Sequence, residues 1–124
     1  MVFNPLGLLA ALAAFLGIWF GHVTVRKVEA RVPVLWPAVV FFVLTGLLME
    51  WLSLILPMLA LKTITGILGI TFLWDAVELL RQERRVRKGH APANPHNPRH
   101  ARFLAEENSR ATTIDWLEQD PSPY

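Results

Sequence analysis

Apolar residues run almost unbroken through Leu6–Val25, Val34–Leu52 and Met58–Val77, and polar residues are pushed into the short segments between and after them. At a rise of about 1.5 Å per residue, each run is long enough to cross a hydrocarbon core of about 30 Å. A soluble domain would instead interleave polar positions with a helical or strand period. The connections are too short to hold a soluble domain. The pattern predicts an all-α integral membrane protein with three transmembrane helices. The first run lacks a positively charged leader and exceeds the apolar core of a secretory signal, so it is expected to be retained as a span.

Charge gives the chain a direction. No Lys, Arg, Asp or Glu precedes Arg26, whereas Arg26–Arg31 holds three basic residues and one acid, and the stretch after Val77 is strongly basic. The connection near Trp51–Pro57 has no basic residue. Basic segments stay on the cytoplasmic side, so the first connection and the tail are both expected inside, with the N-terminus outside. Two spans separate the basic segments, so the two assignments agree. Trp36, Trp51 and Trp74 fall near span ends, where indoles settle at headgroup level. Pro33 and Pro37 flank the start of the second span, and Pro57 is expected to open the third, because a first helical turn has unpaired N–H groups anyway.

The third helix is predicted to run on into the cytoplasm through Lys88, since Asp75, Glu78, Gln82 and Glu83 stand at helical spacing from Arg81, Arg84, Arg85 and Arg87. Gly89 should cap it. This divides the chain into a membrane domain, residues 1–89, and a tail, residues 90–124. In the tail, Pro92, Pro95 and Pro98 recur every third residue and read as an extended linker. Short helices are expected over Arg99–Ser109 and Thr113–Gln119, the second opened by a capping box of Thr112 and Asp115. Phe103, Leu104, Ile114, Trp116 and Leu117 are too few for a core of their own. The tail is expected on a partner, on the membrane surface, or disordered.

Within lipid, small residues mark the faces where helices meet. Ala13, Gly17 and Gly21 form one such stripe, and Gly66 and Gly69 form another. Packing of spans one and three within the chain is the expected use, with a homodimer or another subunit's helix as the alternative. Polar residues at membrane depth are costly unless paired. His22, Arg26, Asp75 and Glu78 fall at one level and are expected as an interfacial polar cluster on the cytoplasmic side. Glu50 and Lys62 are expected as an outer-side pair, unless Lys62 snorkels alone. His22 is also the one imidazole positioned to ligate a haem or pigment, although no second intramembrane His completes a paired site. No cofactor is expected.

Composition narrows the chemistry further. The 124 residues are 53% hydrophobic and contain no Cys, which removes thiolate nucleophiles and Cys-ligated metals. The net charge of +2 sits where a membrane surface attracts it, so nucleic acid is not the expected partner. His90, His96 and His100 match no closed zinc spacing. Phosphate-binding, metalloprotease and hydrolase signatures are missing, and no enzyme is expected.

Trp74, Glu78-Leu79, Gln82, Arg85-Val86, Gly89, Pro92 and Asn94-Pro95 follow one another in a pattern that resembles a family of small bacterial membrane proteins, domain of unknown function 4491. Gly66 to Gly69, and His22 followed by basic residues and Glu29, resemble it too. The resemblance covers Leu6 to Pro98. It departs in a longer connection between spans two and three and in the extension Arg99–Tyr124. It implies three spans and no assigned activity. The expected function is a non-catalytic accessory or structural subunit of a larger membrane complex in the bacterial inner membrane, its partners being the bilayer and larger subunits or itself. The alternatives are a self-assembling small transporter or channel using Glu50, Lys62 or His22, a haem- or pigment-binding protein using His22, and, least supported, a lipid-headgroup enzyme using Asp75, Glu78 and His22.

Overall fold

The computed structural model describes residues 1–116 and the backbone of residues 120–121. Its elements are α1 (Leu6–Arg31), α2 (Trp36–Ile55), α3 (Leu59–Arg87), α4 (Pro98–Ala105) and a two-residue antiparallel ladder of β1 (Ile114–Asp115) with β2 (Asp120–Pro121). The first three are long and apolar enough to span a membrane. In hydrocarbon every backbone N–H and C=O must find an internal partner, and a helix does this within one segment. The hydroxyls of Thr63, Thr65 and Thr71 follow the same rule, donating to the carbonyls of Leu59, Leu61 and Ile67 four residues back.

Of its span, α3 buries 28% against 11% for each of α1 and α2. It is therefore the central helix, with α1 and α2 packed on it and scarcely touching each other. The exception is the polar end of the bundle, where Val25 of α1, Phe42 of α2 and Ala76 and Leu79 of α3 close one apolar cluster with Leu35 from the connection. Glycine decides how closely α2 and α3 cross. A Cβ on Gly46 would stand 2.9 Å from the Gly69 carbonyl oxygen, and one on Gly69 would stand 3.0 Å from the Glu50 nitrogen.

Several boundaries differ from the expectation. Helix α1 continues through the basic segment to Arg31, so Arg26–Arg31 is its last turns and the connection shrinks to residues 32–35. Pro57 lies two residues before α3 rather than in its first turn. Helix α3 does project beyond the apolar run, and Gly89 (φ +78) ends it. The Gly89 and His90 N–H groups donate back to the carbonyls of Val86 (3.1 Å) and Arg85 (2.8 Å), which is the Schellman closure that a left-handed residue permits.

The Pro-rich stretch is not a solvated linker. Ala93 and Asn94 are buried, the chain turns at Pro95 and His96, and Asn97 opens α4 with Pro98 in its first turn. Phe103 packs there with Val86 and Ala93, with Arg87 4.2 Å above its ring. The tail thus finds a core by folding back on the ends of α1 and α3. Helix α4 stops at Ala105, four residues short of the expected end. Of the second expected helix, Ile114–Asp115 is extended instead, and residues 117–119 lie outside the described residues. The Thr112 hydroxyl accepts from the Ile114 N–H (3.1 Å), so it makes a local turn rather than a helix cap.

Polar contacts fasten this return. The last carbonyls of α1 have no intrahelical donors. Asn94 Nδ2 donates to Ala30 O (2.8 Å), and Asn97 Nδ2 donates to Ala30 O and Val32 O (both 3.0 Å). Asn97 Oδ1 meanwhile accepts from the Arg99 N–H (3.0 Å), so one side chain caps the end of α1 and the start of α4. The Arg99 guanidinium reaches the Glu29 carbonyl, Glu29 Oε1 (2.9 Å) and Glu83 Oε2 (2.6 Å). His100 Nδ1 accepts from the Asn94 N–H (2.9 Å), which leaves Nε2 to donate its proton to Glu29 Oε1 (2.8 Å).

Glu29 is 1% exposed and Arg99 5%. Removing one member of a buried pair strands the other, at a cost of about 3–5 kcal/mol. Arg99→Ala is therefore expected to release the tail, read as loss of amide hydrogen-exchange protection over residues 98–105; unchanged protection would refute the clamp. At Gly89 a Cβ would meet the Arg110 carbonyl oxygen, and left-handed backbone costs an L-residue about 1–2 kcal/mol. Gly89→Ala should accordingly raise trypsin cleavage after Arg87 and Lys88, whereas wild-type cleavage rates would show that this closure is dispensable.

Candidate functional site

The α1–α3 crossing is built on glycine and encloses an acid. Ala13 is buried, Gly17 faces Leu68 and Thr71, and a Cβ on Gly21 would stand 2.6 Å from Asp75 Oδ1. The missing side chain of Gly21 is the room into which the carboxylate fits. Asp75 is 7% exposed and makes no hydrogen bond or ion pair among the described residues. On one side it borders a small cavity of about 50 Å³ between the three helices, walled mainly by Phe20, Phe42, Leu68 and Phe72. On the other it lines an open cleft of about 340 Å³ with His22, Ile18, Ile70, Thr71, Trp74 and Glu78.

The expected cluster of His22, Arg26, Asp75 and Glu78 is only partly assembled. His22, Asp75 and Glu78 share the cleft, and no nitrogen of His22 comes within 4.0 Å of either carboxylate. Arg26 is exposed and joins no ion pair among the described residues. Glu78 is instead neutralised from its own helix by Arg81 (3.1 Å) and Arg85 (3.3 Å). One helical turn separates Glu78 from Arg81 and two separate it from Arg85, so these guanidiniums reach it without leaving the helix. Arg81 also lies 4.8 Å over the Trp74 ring, and both Trp74 and Glu78 line the cleft.

Glu50 and Lys62 do not pair. The Glu50 carboxyl turns across the α2–α3 crossing onto Gly69, where a Cβ would lie 2.6 Å from Oε1. Glu50 itself stands five residues before the end of α2 at Ile55, about 7.5 Å along the axis and inside the apolar span. Lys62 lies about two turns back toward the start of α3, too far along the axis to follow. Glu50, like Asp75, makes no side-chain hydrogen bond or ion pair among the described residues. Gly66 meets only Ser53, at ordinary contact distance.

The arrangement does not resemble a hydrolytic or metal centre. Among the described residues no group of three His, Cys, Asp or Glu side chains converges as a metal site requires, and no nucleophile is hydrogen-bonded to a base. It offers one enclosed carboxylate in an amphipathic cleft and one on the α2–α3 crossing. Sequence reasoning did not reach Gly46, the Glu29–Arg99–His100 clamp, or the double role of Asn97. The Asn97-Pro98 pair was a legible helix start, but nothing local pointed across the 70 residues to Glu29.

No curated protein and no solved structure matches the sequence. A family model, Domain of unknown function (DUF4491), matches residues 4–97, which takes in the three long helices, Glu29, Asp75 and both capping asparagines. The chain belongs to the DUF4491 family.

Proposed function

We propose that this protein is a small non-catalytic subunit of a larger membrane protein assembly, and that a transmembrane helix of another subunit completes the surroundings of Glu50. The observation that carries the reading is the Glu50 carboxyl itself. It lies within the apolar span of α2, five residues before its end, against Gly69, and is half-buried, with no hydrogen bond or ion pair among the described residues. A polar group at that depth is costly until a donor reaches it, and the face beside it presents Leu47, Leu54 and Trp51 outward. Spanning helices associate through just such hydrogen bonds and through close small-residue contacts. In this reading the protein sits in the bacterial inner membrane, its N-terminus outside and its clamped tail on the cytoplasmic side, a placement supported by the basic residues at the α1 and α3 ends.

Native mass spectrometry of the tagged protein, extracted gently from its own membranes, is expected to find it bound to identifiable larger subunits. A protein that is monomeric at every step would overturn the proposal, and a pure homo-oligomer would redirect it to a self-assembling transporter. An interhelical hydrogen bond in a membrane is worth about 0.6–1.7 kcal/mol, so Glu50→Leu should weaken the assembly by roughly three- to twentyfold, with Glu50→Gln closer to wild type. The chain has no Cys, so single cysteines report topology without background. Asn4→Cys should react with an impermeant maleimide on intact cells and Ser109→Cys only after lysis; the reverse pattern would invert the orientation.

A further inference from the structure

We infer that the Asp75 cleft is a binding site for an organic monocation with an apolar body. This goes beyond the assembly reading and does not depend on it, because the cleft lies between α1 and α3 and Glu50 lies between α2 and α3. Three observations converge on the site. Asp75 is more than nine-tenths buried, borders the cleft, and has no hydrogen bond or ion pair among the described residues. A carboxylate so placed, at membrane depth, calls for a positive or donating group from outside.

The charge around it is asymmetric. Glu78, the other acid of the cleft, is already held by Arg81 and Arg85, so Asp75 is the acid left for a ligand. His22 shares the cleft without touching either carboxylate, which leaves the space between them open. A phosphate or other anion would be drawn to the arginines that hold Glu78, but Asp75 repels it from the cleft.

The walls and the size complete the picture. Ile18, Ile70 and the Trp74 indole give the cleft apolar sides, which suit the body of an amphiphile arriving through the lipid and offer an aromatic surface to its charge. Its volume of about 340 Å³ falls in the range of small-molecule pockets, about 300–1,000 Å³. One turn of a helix about 10 Å across fills roughly 400 Å³. A transmembrane helix is thus too broad for it, and a compact ligand is not.

Phenyltrimethylammonium and benzenesulfonate, of similar size and opposite charge, test this with the full chain in nanodiscs, by equilibrium dialysis. Saturable binding of the cation and none of the sulfonate is expected. Asp75→Asn should weaken cation binding by about tenfold or more, while circular dichroism and elution volume stay at wild-type values. Ile70→Trp, which fills the cleft and leaves Asp75 in place, should also block binding and guards against a folding defect in the first variant. Equal binding to wild type and either folded variant, or equal binding of both ions, would overturn the proposal. Competition by phosphatidylethanolamine in the nanodisc, without competition by phosphatidylglycerol, would support the site and assign its cation to a lipid headgroup. Indifference to that exchange would support it with a free amphiphilic cation as ligand. Because the readout is ligand binding by the single chain, failure here leaves the Glu50 assembly intact, and failure of the assembly leaves this site standing.

Discussion

The end of α1 is the constraint on which the remaining structure turns. A helix leaving a membrane exposes its last carbonyls at the boundary where water begins to be scarce, and each needs a donor. Here they are served by side chains of a segment 64 to 70 residues later in the chain: Asn94, Asn97 and Arg99. The guanidinium also lies at the negative end of the α1 dipole, where a cation is favoured. Because α3 leads into that segment through the turn at Gly89, capping α1 also ties α1 to α3. The level at which α1 ends sets the height of Gly21, eight residues and about 12 Å before Glu29, and hence its register against Asp75.

That tie explains the buried Glu29. Between Arg99 and His100, both Glu29 carboxyl contacts go to groups that the tail brings, so the acid is satisfied only when the tail is home. A buried ion pair is weak evidence for net stability but a strong device for selecting one arrangement, since every misplaced arrangement strands a charge. The tail has little apolar material of its own, essentially Phe103 on Val86 and Ala93. Polar complementarity therefore specifies a docking that apolar area alone would leave loose.

How far the sequence reveals this depends on how local each signal is. The three long apolar helices, the polar extension of α3 and the Gly89 cap come from runs of neighbouring residues, and the structure has them. The Pro-rich segment misleads because Pro92, Pro95 and Pro98 favour extended backbone wherever they lie, while the asparagines between them decide what that backbone caps. The polar cluster expected at the end of α1 was inferred from shared depth. Depth does not fix azimuth, and Arg81 and Arg85 reach Glu78 from their own helix before Arg26 can from another. The Glu50–Lys62 pair fails for the complementary reason: the two residues are close along the connection, but the glycine crossing draws the Glu50 carboxyl inward.

Glycine has the same consequence at both crossings. At Gly21 and at Gly69 the absent Cβ makes a niche of about the size of a carboxyl group, and in each an acid from the facing helix occupies it. In lipid, packing alone would be served as well by an aliphatic side chain, without the cost of a polar group. Among the described residues, then, no hydrogen bond or ion pair offsets the cost of these two acids, and the surroundings of each determine what can. The Glu50 niche opens on a broad apolar face along α2, which a helix can cover. The Asp75 niche opens into a cleft walled by α1 and α3, narrower than a helix and lined for a small amphiphile. Two acids on opposite sides of one central helix thus call for occupants of different size, and this difference follows from which neighbouring helix stands beside each glycine.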